Sequence, residues 1–144
     1  MFSKACEYGI KATLHVAQQS SEGSRVGLKD IATAIDSPEA FTAKIMQQLS
    51  RNGIVDSIKG PNGGFEIPKE KLKTIQLIQI VSAIDGDQLF YGCGLGLKQC
   101  NEQKPCPVHH KFKAIRDNLK TMLETTSIEE LALGLSDGLT FLKR

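Results

Sequence analysis

Apolar residues recur at helical spacing from the start of the chain. Between Lys4 and Gln19, Cys6, Ile10, Thr13, Leu14 and Ala17 fall on one stripe while Glu7, Lys11 and His15 fall on another. That separation predicts an amphipathic helix with Cys6 as a buried, inert thiol and His15 turned to solvent. Glu7 and Lys11, four residues apart, are spaced for a surface ion pair. A polar, glycine-containing loop covers 20–25, and Arg25-Val26 reads as a short strand. Leu28, Ile31, Ala32 and Ile35 then make an unbroken i, i+3, i+4, i+7 pattern for a second helix, with Gly27 as its cap.

Ser37-Pro38-Glu39 combines a serine cap, a proline at the first helical position and an acid in the first turn. A third helix is predicted from there to Asn52-Gly53, burying Phe41, Ile45 and Leu49 and turning Glu39, Thr42, Ala43, Gln47 and Arg51 elsewhere. Two helices joined by a tight turn, the second stubby and polar-faced, predict a helix-turn-helix. The runs 54–59 and 65–67 read as strands flanking Gly60-Pro61-Asn62-Gly63-Gly64, which makes a wing. Leu77, Ile80, Val81 and Ile84 predict a fourth helix from Thr74 to Asp85, closed by Gly86.

The segment from Asp87 to Cys106 is glycine-rich and irregular, and so long a loop in a compact chain is usually functional or disordered. Pro107 opens what reads as the longest helix, with Phe112, Ile115, Leu119, Met122 and Leu123 on an apolar strip. A strip of this kind on an appended helix is best buried against its symmetry mate, so Phe112, Ile115, Leu119 and Met122 are expected to make a two-fold homodimer. Ser127-Ile128-Glu129-Glu130 forms a capping box for a last short helix. The expected fold is mostly α with a small β wing. A winged helix-turn-helix over 1–68 is followed by a linking helix over 69–88, a cysteine loop over 89–108, and a dimerisation helix with a carboxyl-terminal segment over 109–144.

Composition narrows the function. With 40% hydrophobic and 24% charged residues in 144, the chain has the make-up of one globular domain with an appended element, and no apolar run approaches a transmembrane helix. Its amino terminus lacks a secretory pattern, so a cytoplasmic location without a membrane partner is expected, and there disulfides are disfavoured. The net charge is only +2, so an argument for nucleic acid rests on where cations sit rather than on bulk charge.

The candidate chemistry is concentrated in the loop. Cys93, six residues, Cys100, five residues, Cys106 and two residues to His109 form a dense set of soft ligands, interspersed with Gly92, Gly94 and Gly96. Thiolates are the standard ligands of iron-sulfur clusters, and glycines let backbone fold closely around an inorganic core. Cys106, just before Pro107, is expected at a helix amino terminus, where the dipole favours a thiolate. Zinc bound by the same side chains, reactive thiols and a metal-free loop are the other readings. Zinc knuckles generally use Cys-x-x-Cys spacings, which are absent. Enzyme readings find no support in the sequence, which has no His-Glu-x-x-His, no phosphate loop and no nucleophile elbow.

Three stretches, Glu7-Tyr8-Gly9-Ile10-Lys11-Ala12, Leu28-Lys29-Asp30-Ile31-Ala32 and Ile58-Lys59-Gly60-Pro61-Asn62-Gly63-Gly64-Phe65, together with the order of elements, resemble the IscR/NsrR/CymR family of bacterial transcription regulators over nearly the whole chain. The resemblance implies a third helix in the major groove of a double-stranded DNA operator and a wing on the minor groove or backbone, as groove dimensions also suggest. The implied contacts are Pro38, Glu39, Thr42, Lys44, Gln47, Arg51, Lys59, Pro61, Asn62, Gly63 and Gly64. Lys44, Arg51 and Lys59 would meet phosphates, and Glu39, Thr42 and Gln47 would read bases. Ala43 stands where IscR-like members carry an acid, so the operator does not transfer.

IscR-like members hold a two-iron cluster with three cysteines and a histidine, which implies Cys93, Cys100, Cys106 and His109 here. NsrR-like members take the fourth ligand from a carboxylate of the other subunit, at the position of Glu7, and hold a four-iron cluster. The resemblance places the two-iron form ahead, with iron-sulfur status, redox poise or nitric oxide as the signal. A CymR-like repressor without a cluster, controlled by thiol oxidation or by a partner protein, is the alternative, and a zinc protein or enzyme a more distant one.

Overall fold

The computed structural model describes residues 1–143, which form eight helices and one two-stranded antiparallel sheet. The order is α1 (Lys4–Ser21), α2 (Leu28–Ala34), α3 (Glu39–Arg51), β1 (Asp56–Ile58), β2 (Gly64–Glu66), α4 (Lys69–Leu72), α5 (Leu77–Asp85), α6 (Gln88–Tyr91), α7 (His109–Thr125) and α8 (Ile128–Ser136). No helix among the described residues is long and apolar enough to cross a membrane.

The ends of these helices are set by side chains. Ser3 caps α1 by accepting the Cys6 N–H at 3.0 Å. Ser127 with Glu130 builds a capping box at α8, Gln79 Oε1 accepts the Gln76 N–H at 2.7 Å at the start of α5, and Gly86 ends α5 at a positive φ of 75°. The α2–α3 turn bends at Asp36, which adopts φ 54°, a region that Asp tolerates better than most residues.

Helix α1 lies at the centre and packs against α8, α5, α3 and α2. Cys6, Ala12, Val16 and Ala17 of α1 are buried with Ile31, Ile45, Met46 and Leu49 of the helix-turn-helix and Ile80 and Val81 of α5. At Gly9 α1 and α5 approach closely, because a Cβ there would overlap the Ile84 side chain. The Cys6 thiol, buried beside the Asp85 carboxylate, is pushed up to about 12, mainly by loss of hydration, so it is the inert core thiol expected.

The wing pairs Asp56 with Glu66, Ser57 with Phe65 and Ile58 with Gly64. Val26 adds a single bridge to Phe65, which is the short strand anticipated at 25–26. Glycine is required at the hinge of this hairpin, since a side chain on Gly63 would overlap the Ile58 carbonyl and Gly64 adopts φ 137° against the Val26 carbonyl.

Several expectations are corrected. The buried stripe of α3 is Thr42, Ile45, Met46 and Leu49, with Phe41 only half-buried against the edge of Tyr8. Helix α5 starts at Leu77 rather than Thr74, because Ile75 and Leu77 exchange backbone hydrogen bonds with Ile128 and Thr126, both at 3.0 Å. Pro107 is not the first residue of α7, whose cap is Val108, and with 17 residues this helix is second to the 18 of α1. Helix α8 returns to pack on α1, so the carboxyl-terminal segment is part of the central core as well as a sequel to α7. His15 is half-buried rather than solvent-facing, against Leu135 and Leu142, and this burial lowers its pKa.

Candidate functional site

Two features on the molecule gather the candidate residues: a groove between α3 and the wing, and the loop before α7. Lys44, Gln47 and Arg51 stand on the exposed face of α3, and with Lys59 of the wing they line one groove together with Ala43, Ser50, Ser57 and Phe65. Their spacing accounts for this, because 44, 47 and 51 succeed one another along one helix face. Pro38 and Glu39 are exposed at the amino end of α3, and Pro61 and Asn62 at the tip of the wing. Gly63 and Gly64 are half-buried and shape the hairpin.

Thr42 departs from its anticipated role as a base reader. It is fully buried, and its hydroxyl donates to the Pro38 carbonyl at 2.8 Å and lies 2.9 Å from the Ser37 hydroxyl. A threonine whose oxygen is bonded back to residue i−4 presents a methyl group to the core and nothing to a groove. A residue the sequence did not single out is Arg25, which donates to Glu66 and to the Asn62 carbonyl, both at 3.0 Å, and so anchors the wing to its base. Those partners lie 41 and 37 residues away, so no local pattern signals them.

The loop brings its four candidate ligands together as two pairs. Cys93 Sγ and Cys106 Sγ are 4.0 Å apart, and Cys100 Sγ is 3.4 Å from His109 Nδ1. Among the described residues no group of three or more His, Cys, Asp or Glu side chains is arranged to hold one metal ion, so a single four-donor set is not preformed. The donor chemistry nevertheless suits a sulfur-bound metal group. His109 is 3% exposed and its Nε2 is buried without a partner. The N–H groups of Leu95 and Leu97 are aimed at Cys93, the former at 3.4 Å, and hold its thiol below the ordinary range. Cys106 lies in the turn before α7, its carbonyl accepting from the His109 N–H at 3.0 Å, and not at the helix cap as its place before Pro107 suggested. His110 is exposed and meets His109 only edge to face.

Glu7 is exposed on α1 and pairs with Lys4 at 3.2 Å, whereas Lys11 sits over the Tyr8 ring at 4.7 Å. The Glu7–Lys11 pair suggested by spacing is therefore replaced by a pair one turn of α1 in the opposite direction. On α7, Phe112, Ile115 and Met122 are 44%, 63% and 45% exposed. Leu119 is half-buried on its own core, and Leu123 is fully buried there.

A helix-turn-helix with a two-stranded wing and a cation-lined groove between them defines the winged-helix class of transcription regulator. Residues 2–133 match the Rrf2 family, described as an iron-dependent transcriptional regulator, and the chain belongs to that family. It is 32% identical over 133 residues to a protein of Aquifex aeolicus named for the HTH-type transcriptional regulators, spanning 91% of this chain and 90% of that one. It is 28% identical over 124 residues to the HTH-type transcriptional regulator IscR of Photorhabdus laumondii, spanning 86% and 74%. The structure of CymR, the global cysteine regulator of B. subtilis, superposes with a TM-score of 0.75 at 23% identity over 92% of this chain and 96% of that one. These relatives are transcription regulators, not enzymes.

The placement of Thr42 has a direct test. Thr42→Val keeps the shape and removes the hydroxyl, and is expected to cost ~1 kcal/mol in urea unfolding. Its ranking of a panel of duplexes should match that of the unsubstituted protein, whereas Gln47→Ala should reorder the panel. A reordered panel for Thr42→Val would return that residue to the reading surface.

Proposed function

We propose that this regulator acts as a homodimer that reads a double-stranded DNA operator with α3 and the wing, and that its cysteine loop holds an iron-sulfur cluster through which iron, redox or nitric oxide status is sensed. The observation that carries the DNA part is the groove that unites Lys44, Gln47, Arg51 and Lys59. Lysine and arginine at its rim suit phosphate oxygens, and the amide of Gln47 suits a base edge in the major groove. Glu39 at the exposed amino end of α3 joins it in reading, and Pro38, Pro61 and Asn62 set how closely helix and wing approach the duplex.

For the cluster, the two donor pairs carry the reading, with Cys93, Cys100, Cys106 and His109 as the ligands. Glu7 of the other subunit is the alternative to His109, since it faces solvent on α1. A bound cluster supplies iron open to redox change and to small reactive gases. The chain's part is to hold it with sulfur and imidazole, to direct backbone N–H groups at sulfur, and to tie it to α7. A second reading, control by thiol oxidation without a cluster, is favoured by the 4.0 Å between Cys93 and Cys106 and by the lack of a preformed set of three ligands among the described residues. Zinc on the same donors is a third outcome of a metal assay.

The exposed strip of Phe112, Ile115 and Met122 supports the dimer, because apolar side chains aligned on one helix face lose unfavourable contact with water against a second copy. Ile115→Glu is expected to give a monomer by sedimentation while leaving the circular dichroism of the helices unchanged. A dimer of undiminished mass would move the interface elsewhere.

Lys59→Ala should weaken binding to every duplex and reduce the slope of log K against log salt by about 1, the signature of one lost phosphate contact. An unchanged slope would remove Lys59 from the backbone.

Anaerobic purification with iron, sulfide and zinc assays separates the three readings of the loop. In cluster-loaded protein His109→Ala is expected to change the visible spectrum or the retention of iron, and Glu7→Ala is not. The reverse result would assign the fourth ligand to the other subunit.

A further inference from the structure

Arg116 is a cation on α7 that turns toward the cysteine loop. Its Nη1 donates to the Gly92 carbonyl at 2.6 Å and lies 3.5 Å from Cys100 Sγ, while its Nε is buried with no partner. Half-buried guanidinium groups are usually met by carboxylates. The acids of α7, and Glu102 of the loop, are engaged with other cations: Asp117 and Glu102 with Lys113 at 2.9 and 3.8 Å, and Glu124 with Lys120 at 3.9 Å. The atoms that Arg116 faces are a carbonyl oxygen and a sulfur.

The same helix face carries two further contacts to the loop. His109, Phe112 and Arg116 follow one another at intervals of three and four residues, which puts them in one column along α7. His109 meets Cys100, and Gly94 lies so close to the Phe112 ring that a Cβ would overlap it. The loop is thus laid along that column from its ligand end to its charged end. Three cysteines bound to a metal group as thiolates would bring negative charge to this place, and donors outside the ligand set are what tune and orient a metal group of this type.

We propose that Arg116 is a positioning residue of the cysteine site, its guanidinium supplying the positive charge and N–H donors faced by an anionic sulfur group held by Cys93, Cys100, Cys106 and His109, and fastening that group to the dimer helix. This rests on the cluster reading given above. The charge favours the more negative, reduced form of such a group, and the bond to Gly92 keeps the first residues of the loop against α7.

The test is anaerobic reconstitution with ferrous iron and sulfide of the full chain and of Arg116→Gln, Arg116→Lys and Lys111→Gln, the last an exposed cation of the same helix. Each is poised at one fixed potential with a redox mediator, from which a cluster takes one electron, and the reduced fraction is read by absorption. For Arg116→Gln the ratio of reduced to oxidised cluster is expected to fall about tenfold, equivalent to about 59 mV for one electron. Arg116→Lys should recover most of that ratio, and Lys111→Gln should match the unsubstituted chain. Equal ratios in all four proteins would overturn the proposal, as would Arg116→Lys displaced as far as Arg116→Gln. Should Arg116→Gln not fold, Arg116→Lys decides alone. A near-normal ratio with several-fold faster loss of iron to a chelator supports the proposal, and either a tenfold displacement or a near-normal ratio with unchanged loss of iron overturns it. If the unsubstituted chain takes up no iron and sulfide, the cluster reading itself falls and this assignment with it, a result distinct from loaded proteins that do not differ.

Discussion

The burial of α1 on nearly every side is the constraint from which the rest of the molecule follows. A helix packed against α2, α3, α5 and α8 at once has to carry small or apolar residues around most of its circumference, and Gly9, Ala12 and Ala17 supply the close approaches. With α1 fixed, the helix-turn-helix has one orientation, because Ile45, Met46 and Leu49 must reach the same core. The face of α3 opposite to that core is then the one that carries Lys44, Gln47 and Arg51. The wing follows from the same packing, since Ile54, Val55 and Ile67 on either side of the hairpin are buried, and the short strands have little freedom in where they project.

Much of this was legible in the chain because helical periodicity and turn chemistry are local. The wing glycines, the capping box at Ser127 and the buried Cys6 stand where pattern alone put them. The failures occur where a residue's class misstates its behaviour or where partners are distant. Thr42 counts as polar in any periodic pattern, yet its hydroxyl is satisfied within its own turn and the remainder packs as an apolar group. Pro107 has the character of a first helical residue, but the chain makes one more turn, through Cys106 and His109, before α7 begins.

The cysteine site divides in the same way. Spacing singled out four soft side chains as candidates, because packing alone does not crowd soft ligands into a glycine-rich loop. Spacing did not reveal their arrangement as two pairs, nor the approach of Arg116 to Gly92 across 24 residues of sequence. The strip on α7 was legible as apolar, while the turning of Leu119 toward its own core depends on how α7 sits against α5.

The way α7 is held has a mechanical consequence. Its far end is pinned by buried Leu123 and by the bond from Leu77 N–H to the Thr126 carbonyl, and its near end meets the loop through His109, Phe112, Lys113 and Arg116. The helix is therefore a lever with its fulcrum at Thr126. Seventeen residues make an arm of about 25 Å, so a movement of about 1 Å at the loop tilts it by roughly 2°. Any body carried on the exposed side of that arm swings with it, and the swing is greatest at the end where the sulfur atoms are.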